Sequence, residues 1–336
     1  MNYNIGYVFD EGFAECAAVS MISIMKNNQM ADAINFWILD DGITQKSKER
    51  LVSMVEQNGG KIHFADGAKL ADRFRKLEVE PWRGRYSAYM KLFVSEFELP
   101  VDVERFLVID GDTVVVNSIQ ELFCMDLENH PCAMGLECIP GDYYFISGLG
   151  KHELYNAGVI LYDVKKWKEM QVENEVIRYI KENGGRYMLP EEDIISRILM
   201  DNVKILQPEF NYLTLFDIYN TRKYFKRLLW DELEGYVNNW NELIVARENV
   251  KIYHCISTCS NRPWHKNNIH PYTSIYDNYR KDTPWNDDDK IVCKMSLWHK
   301  IMFQIRKILP RRLSNYYFYL SNKYSFSAVA RKYYQK

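Results

Sequence analysis

Phe106-Leu107-Val108-Ile109-Asp110-Gly111-Asp112 is the stretch whose reading decides the fold. Four apolar residues in a row read as a short strand, and a pair of carboxylates follows at once. Val114-Val115-Val116 then resumes the apolar run. Strands apolar on both faces belong to α/β proteins, in which ligands sit beyond the strands' carboxyl ends. Asp110 and Asp112 therefore stand where chemistry is done. Two carboxylates can hold a small divalent cation whose remaining positions go to diphosphate oxygens and water. Gly111 between them lets the backbone approach a ligand closely. Taken alone, such a motif also fits a solvated turn.

Upstream, Ile5-Gly6-Tyr7-Val8-Phe9 reads as a buried strand, and Ala14, Ala17, Ala18, Met21, Ile22 and Met25 recur at helical spacing. A second strand follows at Asn35–Leu39, then a helix from about Thr44 to Glu56 that Gly59-Gly60 stops, then a strand at Lys61–Phe64. Strand, helix, strand, helix, strand predicts a mainly parallel sheet covered by helices. A helix is expected from Ser87 to Phe97. Downstream, Gly158–Tyr162 reads as a strand, Lys165–Met170 and Glu191–Leu199 as helices, and Asn249–His254 as containing a strand. In the tail, Trp298, Ile301, Met302, Ile305, Ile308 and Leu309 form one helical face, and Pro310 ends that helix.

Composition bounds the function. The chain has 336 residues, 47% of them hydrophobic, and a formal net charge of -2. It can bury a sizeable core, and the charge argues against a general nucleic-acid binder. The charge is unevenly spread: eleven Lys/Arg and no Asp/Glu lie from Lys290 onward, against 32 basic and 45 acidic residues before it. The seven cysteines form no CxxC pair, so reduced thiols in a cytoplasmic compartment are expected. Met1-Asn2-Tyr3-Asn4 leads straight into an apolar run, which reads as no secretory leader. No stretch approaches the roughly 18 apolar residues of a spanning helix. There is no Walker loop, no G-x-G-x-x-G and no nucleophile elbow.

Five segments in order resemble glycosyltransferase family eight, the retaining galactosyl- and glucosyltransferases that include the lipooligosaccharide galactosyltransferases and glycogenin. They are Asp10-Glu11-Gly12-Phe13 after the first strand, Tyr89-Met90-Lys91-Leu92, and Leu107–Asp112. Tyr155-Asn156-Ala157-Gly158-Val159 with Lys165-Lys166-Trp167, and His254 with Arg262-Pro263-Trp264-His265, complete the set. The resemblance covers about residues 3 to 270. It implies an α/β nucleotide-binding domain of the glycosyltransferase A type over residues 1–283, with a mixed, mainly parallel sheet. Residues 284–336 are then a basic amphipathic extension expected to lie on the inner, anionic face of a membrane; a helix docked on the protein's own acidic body is the other reading.

The resemblance also implies roles. Asp10 would accept a hydrogen bond from uracil and Phe13 would stack on it. Asp110 and Asp112, with His254 as third ligand, would hold the metal; an imidazole beside carboxylates suits Mn²⁺ better than Mg²⁺. Asn156 would contact sugar or acceptor, with Ala157 giving close backbone approach. Lys91 stands for a usual Arg. Arg262, in place of a usual Lys, would hold the diphosphate. His254 and Arg262 are eight residues apart rather than the usual six, with Ser257 where a Gly is usual, so this loop is expected to be longer or bulged. The usual D-Q-D appears as Glu191-Glu192-Asp193. An amide beneath the reacting sugar thus becomes a carboxylate, able to stabilise positive charge there or to bond covalently. Its alternative is helix-start chemistry behind Pro190. The reaction implied is transfer of galactose or glucose from its UDP ester to a growing glycan. The rival expectation is a non-catalytic nucleotide-sugar binding or scaffold protein of a glycan assembly complex.

Overall fold

The computed structural model describes residues 1–150, 152–218, 221–223 and 240–334. The chain divides into two compact units: Met1–Glu137 with His152–Leu206, and Cys138–Lys151 with Gln207–Lys336.

The first unit is built on a seven-stranded sheet. Its strands are β1 (Asn2–Phe9), β2 (Ala33–Asp40), β3 (Lys61–Asp66), β4 (Arg105–Ile109), β6 (Cys132–Leu136), β7 (Tyr155–Asp163) and β8 (Lys204–Ile205), in the order β3-β2-β1-β4-β7-β6-β8. Neighbours run parallel except where β7 lies antiparallel to both β4 and β6. The short strand β5 (Thr113–Val115) follows the acid pair and packs on helix α1 (Ala14–Asn27). Helix α2 (Gln45–Gln57) starts on Thr44, whose hydroxyl accepts from Ser47 N.

The strands form because their apolar runs are covered on both faces. Ile5, Phe36, Leu107, Val108 and Leu161 are fully buried. Phe97 meets Phe106 edge-on at 4.9 Å, and Tyr162 meets Trp167 likewise at 4.7 Å. Gly6 is required by packing: a Cβ there would lie 2.3 Å from the ring tip of buried Phe106.

One expected element is broken. The helix expected over Ser87–Phe97 is a single turn at Ser87–Met90 and a 3-10 turn at Val94–Phe97, separated by Phe93 at φ -112° and ψ 75°. The Lys91 carbonyl, which a continuing helix would use, accepts instead from the Tyr162 hydroxyl at 2.9 Å. Tertiary hydrogen bonding overrides an apolar pattern that is locally helical. The strand in Asn249–His254 is confined to Ile252–His254. Helices at Ala68–Lys76 and Val172–Asn183, and strand β6, were not anticipated.

In the second unit β9 (Tyr212–Leu213) and β10 (Ile252–His254) pair in parallel. The tail forms two helices, Leu297–Ile308 and Arg311–Tyr334, with Pro310 at the break. The second helix packs on the turn Asp142–Ile146: Tyr143 meets Phe326 and Tyr334 edge-on, and Ser327 Oγ donates to Asp142 Oδ2. On the first helix Met302 and Phe303 are buried while Leu297, Trp298, Ile301 and Ile308 are exposed. Among the described residues no helix is long and apolar enough to cross a membrane.

Candidate active site

The acid pair sits at the carboxyl end of β4, as the sequence predicts. Its turn is fixed from beneath by a line of buried hydroxyls. Tyr7 Oη lies 2.8 Å from Ser20 Oγ, which lies 3.0 Å from Thr113 Oγ1. Thr113 Oγ1 in turn donates to the Asp110 carbonyl at 2.7 Å. Asp110 N donates to the Gly158 carbonyl at 2.9 Å, which ties the turn to β7. Asp112 is buried. Gly111 packs on Ala17, where an added Cβ would meet only ordinary contact at 3.5 Å.

Lys91 is buried and placed between two carboxylates, Asp110 at 2.8 Å and Glu191 at 2.9 Å. Burial opposes its charge, but Asp110 and Glu191 overcome that and hold the ammonium group protonated. Its Nζ also donates to the Ala157 carbonyl at 3.2 Å.

The Asn156-Ala157-Gly158 stretch owes its position to an irregularity in β7. Met134 of β6 pairs with Ile160, yet the next residue, Gly135, pairs with Asn156. Residues 157–159 therefore have no partner on β6, and the bulge aims Asn156 toward buried acids. Asn156 Nδ2 donates to Glu137 Oε2 and, at 3.2 Å, to Glu192 Oε1. Its Oδ1 accepts from Gly158 N at 3.0 Å. Glu192 Oε1 also accepts from Ala157 N at 3.1 Å. Burial, reinforced by the charges of Glu137 and Glu191, pushes the Glu192 carboxyl well above the usual carboxylate range, against the pull of Ala157 N–H and Lys91.

Pro190 opens the helix Pro190–Ile198, and the three acids of its first turn part company. Glu191 pairs with Lys91 and Glu192 meets Asn156. Asp193, with no exposed surface, accepts from Leu189 N at 3.1 Å and pairs with Arg197 at 2.9 Å. Its carboxylate serves the start of its own helix. At the end of β1, Asp10 Oδ1 accepts from Gly12 N and Oδ2 pairs with Arg85 at 2.9 Å. Phe13 is 39% exposed, so its ring has open area.

In the second unit His254 is buried at the end of β10, with Nδ1 3.0 Å from Asn211 Oδ1. That contact assigns the proton to Nδ1 and leaves Nε2 as the ligand-type nitrogen. The loop to Arg262 absorbs its extra residues with Cys259 at φ 56° and Asn261 at φ 58°. It closes where Arg262 Nη1 donates to the Cys255 carbonyl and Arg262 N to His265 Nδ1. Asp110 and Asp112 in the first unit and His254 in the second are carboxylate and imidazole side chains of the kind that takes a divalent ion.

Two residues of consequence escaped the sequence reading. Glu137 ends the apolar run Cys132–Leu136 just as Asp110 ends β4, and that strand-end position was its signal. Asn211 carried no signal, since its role exists only through the pairing of β9 with β10.

Comparison with known proteins places these features. The sequence profile of glycosyl transferase family 8 matches residues 4–268. The lipopolysaccharide 1,2-glucosyltransferase of Escherichia coli strain K12 is 25% identical over 291 residues, spanning 85% of this chain and 79% of that one. General stress protein A of Bacillus subtilis strain 168 is 23% identical, over 82% of this chain and 92% of that one. Among solved structures, galactosyltransferase LgtC in complex with donor and acceptor sugar analogs superposes with a TM-score of 0.66 at 19% identity, covering 84% of this chain and 96% of that chain. That likeness gives the fold as glycosyltransferase A type. Since the family profile runs from β1 to beyond Trp264, this chain belongs to glycosyl transferase family 8: a glycosyltransferase, with the nucleotide-sugar donor and glycan acceptor that the family implies.

Proposed function

We propose that this glycosyltransferase moves a hexose, galactose or glucose, from its UDP ester to a hydroxyl of a lipid-linked or surface glycan, with retention of configuration. The observation that carries the reading is the acid pair closing β4 with Asn156 and Glu192 buried beside it, in a chain of this family.

In this reading Asp10 and Phe13 receive the uracil, and Arg262 receives the diphosphate. Ala157 lets the backbone come close to the sugar, and Asn156 and Glu192 lie beneath it. Glu191 steadies Lys91, and Asp193 steadies the helix that carries both other acids. Asp110, Asp112 and His254 hold the divalent ion. Two carboxylates and an imidazole suit Mn²⁺, and the Asn211 contact that fixes the His254 tautomer is what such a ligand needs. When bound, the ion supplies positive charge against the departing diphosphate. Arg262 adds a second positive group there, and Lys91 keeps Asp110 oriented.

The segment 284–336 is proposed to rest on an anionic membrane surface. Its support is the excess of Lys/Arg and the exposed Leu297, Trp298, Ile301 and Ile308.

The test offers purified protein a panel of UDP-sugars with Mn²⁺ and a glycan acceptor, and identifies the products. Hexose transfer from UDP-galactose or UDP-glucose, lost in EDTA, is the expected result. Donor binding without transfer or hydrolysis would replace this reading with that of a nucleotide-sugar binding protein.

A further inference from the structure

A second charged group stands at the carboxyl end of β1 beside Asp10. Arg85 closes the turn Trp82-Arg83-Gly84-Arg85, between the helix Ala68–Lys76 and the single turn Ser87–Met90. Trp82 and Arg85 form an antiparallel bridge, and Arg85 N donates to the Trp82 carbonyl at 3.0 Å. Arg83 and Gly84 between them both have positive φ, 51° and 84°. Two such residues make the tight reversal of a hairpin, so the turn itself sets the backbone of Arg85. The next two residues are pinned as well. The Tyr86 hydroxyl donates to the Val79 carbonyl at 3.3 Å, and Ser87 Oγ donates to Asp41 Oδ2 at 2.5 Å. From this frame the Arg85 side chain reaches the carboxyl ends of two strands. Its Nε lies 2.9 Å from Asp10 Oδ2, after β1, and its Nη1 lies 3.5 Å from the Asp41 carbonyl, after β2.

Stability does not explain this pair. The Arg85 side chain is 53% exposed, and exposed ion pairs contribute little. Asp10 also holds its own turn without help, since Oδ1 accepts from Gly12 N at 2.9 Å. What the pair does present is a hydrogen-bond acceptor beside a hydrogen-bond donor, at the strand ends where ligands of α/β sheets bind. The edge of uracil offers the complement: N3–H donates and the neighbouring O4 accepts. Cytosine offers the reverse: N3 accepts and the N4 amino group donates. A guanidinium has five N–H donors, enough to serve a base as well as Asp10 and Asp41.

We propose that Arg85 reads the base together with Asp10. Asp10 accepts from uracil N3–H while Arg85 donates to uracil O4, so the pair selects a uracil nucleotide over a cytosine one. The assignment rests on the function proposed above, from which Asp10 takes its place at the uracil. It adds a specificity residue outside the five segments through which the family was read. Cytosine in the same position would set N3 against the Asp10 carboxylate, acceptor to acceptor, and N4 against the guanidinium, donor to donor. Both mismatches leave polar groups without partners, which costs more than a missing contact. The guanidinium also offsets the Asp10 charge when a bound base shuts water away from it.

The test compares UDP with CDP by calorimetric titration of the full chain with Mn²⁺ present. The two ligands share ribose and diphosphate, so the ratio of their affinities isolates the base. The parent should prefer UDP by about a hundredfold. Arg85→Met keeps the length of the side chain and removes every donor. The position is exposed, so the variant should unfold at the parent's midpoint. Its affinity for UDP should fall by about tenfold, and its affinity for CDP should hold or rise because a clashing donor is gone. The preference for UDP then shrinks by tenfold or more. Equal losses for UDP and CDP would overturn the proposal, since Arg85 would then answer the diphosphate or merely hold its turn. Tighter UDP binding in Arg85→Met would overturn it too, because Arg85 would then be a plug that the base must displace. A parent that does not bind UDP sinks the proposed function and the base reading with it. A parent that binds UDP, with a preference that Arg85→Met leaves unmoved, sinks the base reading alone.

Discussion

Lys91 shows how much one buried cation can organise. Its ammonium group faces a carboxylate of the acid pair and a carboxylate of the helix Pro190–Ile198, and also reaches a β7 carbonyl. Removing it by Lys91→Met would strand Glu191, which is nearly buried, beside Asp110. Breaking a buried pair typically costs about 3–5 kcal/mol, and the partial exposure of Asp110 lowers that toward about 2–3. The expected outcome is a lower midpoint of thermal unfolding together with lost transfer. An unchanged midpoint would mean that the two acids find other partners. The same geometry bears on the aspartates as tests of metal binding. Asp110→Asn also weakens the Lys91 pair, so it tests metal binding and that pair together. In Asp112→Asn, too, transfer should fall by two orders of magnitude or more. Full activity in this variant would end the metal-dependent reading. Gly6→Ala tests packing alone. The added methyl would overlap the ring of fully buried Phe106, for a loss of about 1–3 kcal/mol.

At the scale of elements, the strands were legible and the site's irregularities were not. Apolar runs buried on both faces announce β1, β2, β4 and β7 without help from the rest of the chain, and acids at strand ends follow from them. The break at Lys91 could not be read, because Ser87–Phe97 carries a helical pattern and only the distant Tyr162 hydroxyl undoes it. Nor could the bulge in β7, which depends on register against β6. The longer loop after His254 was legible as a spacing, but its two left-handed residues were not. The tail divides likewise. Periodicity gave the helix Leu297–Ile308, while the helix Arg311–Tyr334 has aromatic and basic residues on every side and showed no face to read. That second helix covers Tyr143, so deleting the tail would expose core and confuse the result. Charges placed on the exposed face are the better probe. Trp298→Glu with Ile301→Glu should abolish binding to anionic vesicles at low salt and leave UDP-sugar hydrolysis unchanged. Salt should weaken the parent's binding through screening. A parent that ignores such vesicles would confine the tail to its packing within the second unit.

At the scale of the whole molecule, the proposed function predicts a coupling that needs no acceptor and no knowledge of the sugar. A ligand that binds only the folded chain stabilises it by about 2.7 kcal/mol when present at 100 times its dissociation constant. UDP brings phosphate oxygens, and the acids of the site bring a need for positive charge. A divalent ion held by Asp110, Asp112 and His254 would satisfy both at once, so each ligand should tighten the other by the same factor. Mn²⁺ with UDP should raise the unfolding midpoint by more than the sum of their separate effects, and Mg²⁺ should do less because it favours an all-oxygen shell. In Asp112→Asn the separate effect of UDP should largely remain, since uracil and Arg262 contacts are untouched, while the excess from the pair disappears. Excess EDTA should reduce the parent to the same behaviour. If UDP stabilises the parent equally with and without Mn²⁺, no metal joins the nucleotide to these acids. Arg262 and Lys91 would then have to answer the diphosphate charge alone, as in a transferase that works without metal.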